Sequence, residues 1–506
     1  MNTKLTSISS SFPYSGSLIH IVNPNDTAQN SSGSSFKTSL LLVENSFLTA
    51  SSNTEIIFNS GSRFDGTGSF VFNYRSQSLQ QGFAVTASGL YSHAEGQYTQ
   101  AKGVYSHAEG EGTIASGSYS HAEGLSTIAN EEGAHAEGDT TIALGNGSHA
   151  EGFLTTASGD YSHAEGESTE ARANASHAEG FETTSSGSYS HAEGYNTIAL
   201  EQYSHAEGYY TTAIGIGSHA EGSETLSSGE ASHAEGYAFQ GVGGDIFPTS
   251  QGNGSHAEGR GTLAKGNGSH AEGSSLDDGI DTNYILTASG SFSHAEGAAT
   301  LAQGQYSHAE GYFTTASGES SHAEGYSTKA IGASSHAEGY GAQATGSYSH
   351  AEGASTQARG TYSHAEGIST IAIGTASHAE GYYTVASGSY QHVQGQYNIS
   401  SSAQSAFIIG NGTADGSRRN LVFASGSTFQ VTGSAQVTGS LLVTGSLQVT
   451  GSAIINNILT LTPRTTTPTE ATTGSIIMSG SSGANINLYV YTGAGANNGW
   501  AKITAV

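Results

Sequence analysis

Small and polar residues alternate along most of this chain, and the alternation resets every 14 positions. Side chains of an extended strand point to opposite faces in turn. In Ser92-His93-Ala94-Glu95-Gly96 this places Ser, Ala and Gly on one face and His and Glu on the other. Thr usually follows six residues after the histidine (Thr99, Thr113, Thr127), Ala at eight (Ala101, Ala115, Ala129) and often Gly at ten (Gly103, Gly117, Gly145). An aromatic residue often precedes the Ser, as at Tyr91, Tyr105, Tyr161 and Phe292. Each unit therefore reads as two short alternating segments separated by two glycine-bearing corners. Fourteen residues are too few for a helical hairpin; they suit two short strands and two tight turns, one coil of a β-solenoid.

Histidine marks the phase. It recurs every 14 residues from His93 to His233, steps by 23 to His256, by 14 to His270 and by 24 to His294, then by 14 again to His392. Of 22 histidines, 21 occupy this one phase, so the repeat covers most of the 506 residues. Stacked at about 4.8 Å per coil, twenty-odd coils make a rod on the order of 100 Å long. The two long steps insert nine and ten residues, within Tyr237–Gly254 and Ser274–Gly290. Such bulges on a rigid scaffold are candidate receptor-contact loops, with Phe239, Phe247 and Tyr284 as their aromatic residues. A passive bulge is the plainer alternative. Asp277, Asp278 and Asp281 sit in the second insertion but depart from a calcium-loop pattern.

Composition narrows the function. Glycine reaches 71 residues and charged residues only 11%, so a broad aliphatic core is not expected. Such a composition ordinarily reads as disorder, but the strict repeat and 26 tyrosines argue for order. The net charge of −28 opposes phosphate-backbone binding, so no nucleic-acid partner is expected. No cysteine is present for disulfides or thiolate metal sites. No stretch approaches the roughly 18 to 20 apolar residues of a membrane span, so no membrane insertion is expected. The opening Met1-Asn2-Thr3-Lys4-Leu5-Thr6-Ser7 lacks a signal-peptide apolar region, which predicts synthesis in a host cytoplasm without a signal peptide.

A narrow coil lined by Ala, Ser, Thr and Gly buries little apolar area, a weak core at roughly 25 cal/mol per Å2. The His/Glu face is therefore read as a surface that needs a partner, supplied by symmetric association. The repeat's ends agree. Leu79 stands in phase with the first histidine, and Phe407 and Ile409 take the places of His and Glu after the last. The expected trimer-seam ladder comprises His93, Glu95, His107, Glu109, His121, Glu123, His163, Glu165, His191, Glu193, His308, Glu310, His364 and Glu366, closing on Phe407 and Ile409.

The 14-residue unit and its Phe407–Gly410 terminus resemble the head repeats of YadA-type trimeric autotransporter adhesins. The resemblance implies a left-handed parallel β-roll that trimerises, with His and Glu standing here where Val and Ile occur in the pattern Asn-Ser-Val-Ala-Ile-Gly. The flanks resemble phage fibres instead. Val431-Thr432-Gly433-Ser434 recurs at Val437, Val443 and Val449, as in triple-stranded β-stalks. Segments such as Leu488-Tyr489-Val490-Tyr491 and Gly499-Trp500-Ala501 resemble a small β tip. The expected fold is all-β: a homotrimeric, left-handed parallel β-roll, followed by a triple-stranded stalk and a small tip domain. Four regions result: an N-terminal β-rich attachment segment (1–77), the β-roll rod (78–415), the threefold stalk (416–460) and the tip (461–506).

The resemblance implies a trimeric structural fibre on a bacteriophage virion surface. One end would meet a tail, baseplate or capsid protein, and the other a host surface receptor, a glycan among the candidates. The alternatives are the fibre of a phage-like contractile injection system, a cell-surface adhesin, and a glycan-degrading tailspike.

The His-x-Glu pair invites metal or acid–base chemistry, since residues i and i+2 of a strand share a face. A catalytic site is made once per chain, however, not some twenty times in line. No enzyme activity, cofactor or metal is expected, and the ladder is read as structural, with a metal-binding ladder as the alternative. Histidine can donate hydrogen bonds to the carboxylates as a neutral ring or carry compensating charge; in the charged version, pairing with Glu favours His⁺ and raises its pKa. The tyrosines at the motif's edge (Tyr195, Tyr209, Tyr312, Tyr326, Tyr340, Tyr382) are read as outward ladders, with sugar-binding platforms as the alternative.

Overall fold

The computed structural model describes residues 75–438 apart from 242–243 and 278–282, and the segments 54–55, 58–60, 63–65, 70–73, 441–444, 450, 476–479, 487–491 and 500–502. Two compact units divide at Ser434/Ala435.

The first unit is a parallel β-solenoid of 14-residue coils. Each coil contributes a five-residue strand beginning at the histidine, such as His93–Gln97, and a two-residue strand, such as Gln100–Ala101. Successive long strands pair in parallel and in register, His93 on His107, Ala94 on Ala108, Glu95 on Glu109. This ladder begins at Ser78–Phe83, where Leu79 pairs with His93, and ends at Phe407–Asn411, where Phe407 pairs with His392. A second ladder of two-residue strands runs from Thr86–Ala87 to Val385–Ala386.

The coil is two similar half-turns of seven residues. Each begins with a left-handed residue, Tyr91 (φ 59°) and Tyr98 (φ 58°) in the first full coil, and continues Ser/Thr-x-Ala-x-Gly. The 14-residue unit thus bends the chain twice by one device. The left-handed N–H groups are not lost to the corner, because each donates to the coil before: Tyr105 N to Leu90 O (2.8 Å) and Tyr98 N to Phe83 O (2.9 Å). The backbone is thereby bonded from coil to coil through corners as well as strands.

Four small residues fill each coil. Ser92, Ala94, Thr99 and Ala101 are all buried, and their equivalents form four continuous columns. The serine hydroxyl closes its own corner, Ser92 Oγ donating to Gly89 O at 2.8 Å. The threonine hydroxyls, from Thr99 through Thr183, find no partner in the protein.

The glycine of the motif does not join this interior, contrary to the alternation expected for Ser92–Gly96. Gly96 is exposed, with φ +107°, and a Cβ there would lie 2.0 Å from Gly110 O in the next coil. Glycine is required because the bent end of one strand rides directly on the next. Gly103, at the other corner, faces Gly117 O in the same way.

Antiparallel strands occupy both ends of the ladder. Phe70–Asn73 pairs with Ser78–Phe83 at one end, and Asn420–Ser425 with Phe407–Asn411 at the other, followed by Thr428–Val431. A parallel stack leaves open edges that invite further strands, and these hairpins cover them. The sheet therefore continues past residue 415, into the first part of the segment expected to form a stalk. The hexads around Val437, Val443 and Val449 lie partly outside the described residues, and those described carry no strand. In the second unit, Ile476–Ser479, Asn487–Tyr491 and Trp500–Lys502 form an antiparallel three-stranded sheet. The expected attachment segment lies outside the described residues up to residue 53.

Candidate functional site

The repeated His/Glu face is the most regular chemical surface of the rod. In-register pairing stacks each imidazole on the next. His93 and His107 have ring centroids 4.7 Å apart at 6°, and His256 and His270 4.8 Å apart at 1°. The stack includes His121, His163, His191, His308 and His364 of the expected seam, and near its end His392 tilts by 50° against His378. Phe407 then meets His392 at 5.5 Å.

Glutamate forms the neighbouring column. In the first coils each Nε2 lies 3.5–3.6 Å from the carboxylate of its own coil, as for His93–Glu95, His107–Glu109, His163–Glu165 and His191–Glu193. Farther along, the nearer carboxylate often belongs to the preceding coil: His256 Nε2 reaches Glu235 at 3.2 Å and His336 Nε2 reaches Glu324 at 3.4 Å. Most of these Nε2 atoms are buried without a hydrogen-bond partner, although the side chains as a whole are about a third exposed.

The stack opposes protonation. Burial is the largest influence on His107, His121, His205 and His336, and one or both neighbouring rings reinforce it; all four are held below the ordinary histidine value. His177 falls to about 4 for the same reasons. Glutamate pushes the other way but loses. Two charged rings 4.7 Å apart would repel by about 3.5 kcal/mol at an effective dielectric of 20, before water screening at this half-open face. This reverses the expectation that Glu pairing would raise the histidines. At these coils the imidazole is held toward its neutral form.

At some coils the stacked glutamates are pushed apart in acidity. Burial and hydrogen bonds from Glu109 and Glu137 push Glu123 up to about 7, while the bond to Glu123 holds Glu109 down. Glu324, bonded to Glu338 and Glu310, also rises to about 7. An acid beside a carboxylate relieves the repulsion of a stacked column.

Beside the glutamates runs the exposed glycine column. Because glycine has no side chain, the two columns make a trench with a glycine floor and a glutamate wall. From Glu324 to Ile409 it encloses about 950 Å3, and a second stretch from Glu193 to Tyr237 about 490 Å3.

Triads such as His135, Glu137 and His149 bring three ligand atoms within 4.8 Å of one another. A His–Glu separation of 3.5–3.6 Å is near the bite of two ligands on one tetrahedral zinc, about 3.3 Å at ordinary bond lengths. Parallel rings in adjacent coils do not converge on a common point. The geometry therefore offers a one-coil chelate, not a bridged chain of ions.

The two insertions are hairpins that leave the same corner of the coil, in the coils of His233 and His270. The first pairs Phe239–Gly241 with Gly244–Ile246, and the second pairs Leu276–Asp277 with Asn283–Tyr284. Phe239 is not available to a receptor: it is 2% exposed, wedged against Gly261 beneath the Arg260 guanidinium, 4.4 Å from the ring. Phe247 and Tyr284 are exposed, and Tyr284 meets Phe313 edge-on at 4.6 Å.

Tyr312, Tyr326 and Tyr340 stack face to face at 5.0–5.2 Å, as do Tyr195 and Tyr209 at 5.2 Å, whereas Tyr382 meets Tyr383 edge-on. A second ladder, at the residue before the Ser, runs through Tyr91, Tyr105 and Tyr119. Stacking hides the ring faces that a sugar would use and leaves only edges to solvent, which disfavours the ladders as sugar platforms.

These ladders define a parallel β-solenoid rod with one chemical face repeated along its length. The family model described as the YadA head domain repeat matches residues 108–129, 132–148, 136–152, 206–229 and 365–390, and the coils over those residues are similar to YadA-type head repeats. No curated protein matches the chain.

Proposed function

We propose that the chain is the subunit of a homotrimeric structural fibre, carried on a phage virion and presenting an adhesive surface to a host. The observation that carries the assembly is the pairing of a ridge with a trench on one face. The histidine column stands about a third exposed beside a glutamate-walled, glycine-floored groove. A second copy of this chain offers the complementary column, imidazoles that donate to carboxylates. A ridge-to-trench contact is heterologous and closes after a whole number of subunits, three in the head repeats this rod resembles. Leu79, Phe407 and Ile409, aligned with the same columns, give the seam apolar ends. Phage attachment is supported by the hexads and the C-terminal strands, which resemble fibre stalks and tips. The His/Glu pairs recur in coil after coil, which supports scaffolding over catalysis.

Light scattering on the purified chain tests the assembly. A mass of three times 51.4 kDa is expected, and a monomer at micromolar concentration overturns it. Antibody labelling of virions tests the location; labelling of bacterial surfaces alone favours a cell adhesin. Shortening of host polysaccharide on incubation would make the fibre a glycan-degrading tailspike.

A further inference from the structure

We propose that the cleft between the first hairpin and the rod is a saccharide-binding site for neutral or amino sugars. This rests on reading the rod as an adhesive fibre and names the ligand that one part of it takes. The cleft encloses about 400 Å3 and is lined by Tyr210, Thr212, Glu224, Leu226, Asp245 and Phe247. That volume lies toward the small end of small-molecule sites, about 300–1,000 Å3. It suits a mono- or disaccharide.

Three features point to a sugar. First, the aromatic rings leave the flat ladders. Phe247 is 42% exposed, and among the described residues no ring stacks on it. Tyr210 stands edge-on to Tyr209 (4.6 Å, 78°) and tilted against Tyr195. Free ring faces accept the C–H face of a pyranose, which the stacked tyrosines cannot do. Second, Glu224 and Asp245 supply carboxylate acceptors for hydroxyl donors, and Thr212 a hydroxyl. No lysine or arginine lines the cleft, and the chain carries −28, so sialylated or phosphorylated sugars are disfavoured. Third, the wall is held in place. Phe239 anchors the hairpin under Arg260, Thr249 Oγ1 donates to Phe247 O at 2.8 Å, and Leu226 N donates to Pro248 O at 2.9 Å. A preformed wall lowers the ordering cost of binding.

The test uses the full-length fibre on an array of galactose, N-acetylglucosamine, glucosamine, galactosamine and sialyllactose. Binding to at least one neutral or amino sugar, and not to sialyllactose, is expected. Phe247→Ala should weaken it tenfold or more and Asp245→Asn severalfold, while Tyr119→Ala, in the stacked ladder away from the cleft, leaves it unchanged. Circular dichroism and oligomer mass confirm that each variant folds. Failure to bind any neutral or amino sugar, or equal binding by Phe247→Ala, overturns the site. Host-cell adhesion separates the two readings. If the fibre adheres and Phe247→Ala adheres equally, the cleft is wrong and the fibre reading stands. If the unaltered fibre adheres to no host cell, the adhesive reading fails with it.

Discussion

Substituting Gly208 by Ala should break the ladder locally, while the same change at Gly217, nine residues on, should cost far less. Gly208 has φ +109°, and an added Cβ would lie 2.2 Å from the carbonyl oxygen of Gly222 in the next coil. An ordinary contact needs roughly 1 Å more. Separating the coils by that distance takes the bonds His205 N–Ser218 O (2.8 Å), Thr212 N–Thr225 O (2.9 Å) and Glu224 N–Tyr209 O (2.7 Å) out of hydrogen-bonding range. Losing three such bonds costs about 3 kcal/mol, and the backbone strain adds about 1–3 kcal/mol. Gly217 has φ +63° and nothing within 4 Å of an added Cβ. Its corner is occupied in other coils by left-handed residues such as Tyr203 and Ala231, so Ala there costs about 1–2 kcal/mol at most. Amide hydrogen exchange followed by mass spectrometry over residues 191–233 is the assay, because a repeat rod opens coil by coil. A loss of about 4 kcal/mol lowers protection by nearly a thousandfold in the Gly208→Ala variant. Protection within twofold of the unaltered chain, or equal losses at both sites, would refute the account of why the motif ends in glycine.

Replacing the buried Thr169 by Val should stabilise the rod by about 1 kcal/mol, because its hydroxyl is buried without a partner; a lower melting temperature would contradict this. Acid should destabilise the rod. The lowered histidines contribute stability that is complete above the ordinary value of 6.5 and is lost as pH falls through their folded values, about 4 for His177. Melting temperatures flat from pH 7 to 4 would count against the neutral stack. Glu123 has the opposite sign: its folded value of about 7 gives stability that is present below 4.5 and lost as pH rises through 7. Glu123→Gln should therefore stabilise at pH 8 and not at pH 4, measured by thermal melts at both. Phe239→Ala should cost about 3–5 kcal/mol, confined to the first hairpin; exchange should quicken at Phe239–Ile246 and not in the coils of His107 or His350.

The period was legible because parallel, in-register stacking makes sequence periodicity and spatial periodicity the same thing. His93 sits on His107 since nothing between them changes the length of a coil. The two long steps between histidines likewise had to be bulges, because coils on either side pair directly, His233 on His256 and His270 on His294. Faces were harder to read. Strict alternation put Gly96 inside with Ser92 and Ala94, but alternation holds only while the backbone stays extended, and the strand bends at φ +107°. The seven-residue half-turn was hidden for a related reason: its marker is a left-handed backbone carried by Tyr, Ser, Thr, Ala or Glu, residue types that do not announce that conformation. Charge was misjudged because a motif shows each histidine beside its glutamate, not beside two other histidines. Once identical residues stack, a histidine also faces like rings at about 4.7 Å, and these add to burial against the pull of its glutamate. Histidines such as His107 and His177 are thereby held toward the neutral form and Glu123 and Glu324 toward the acid, so the face that looks ionic in one coil carries less charge where these groups stack.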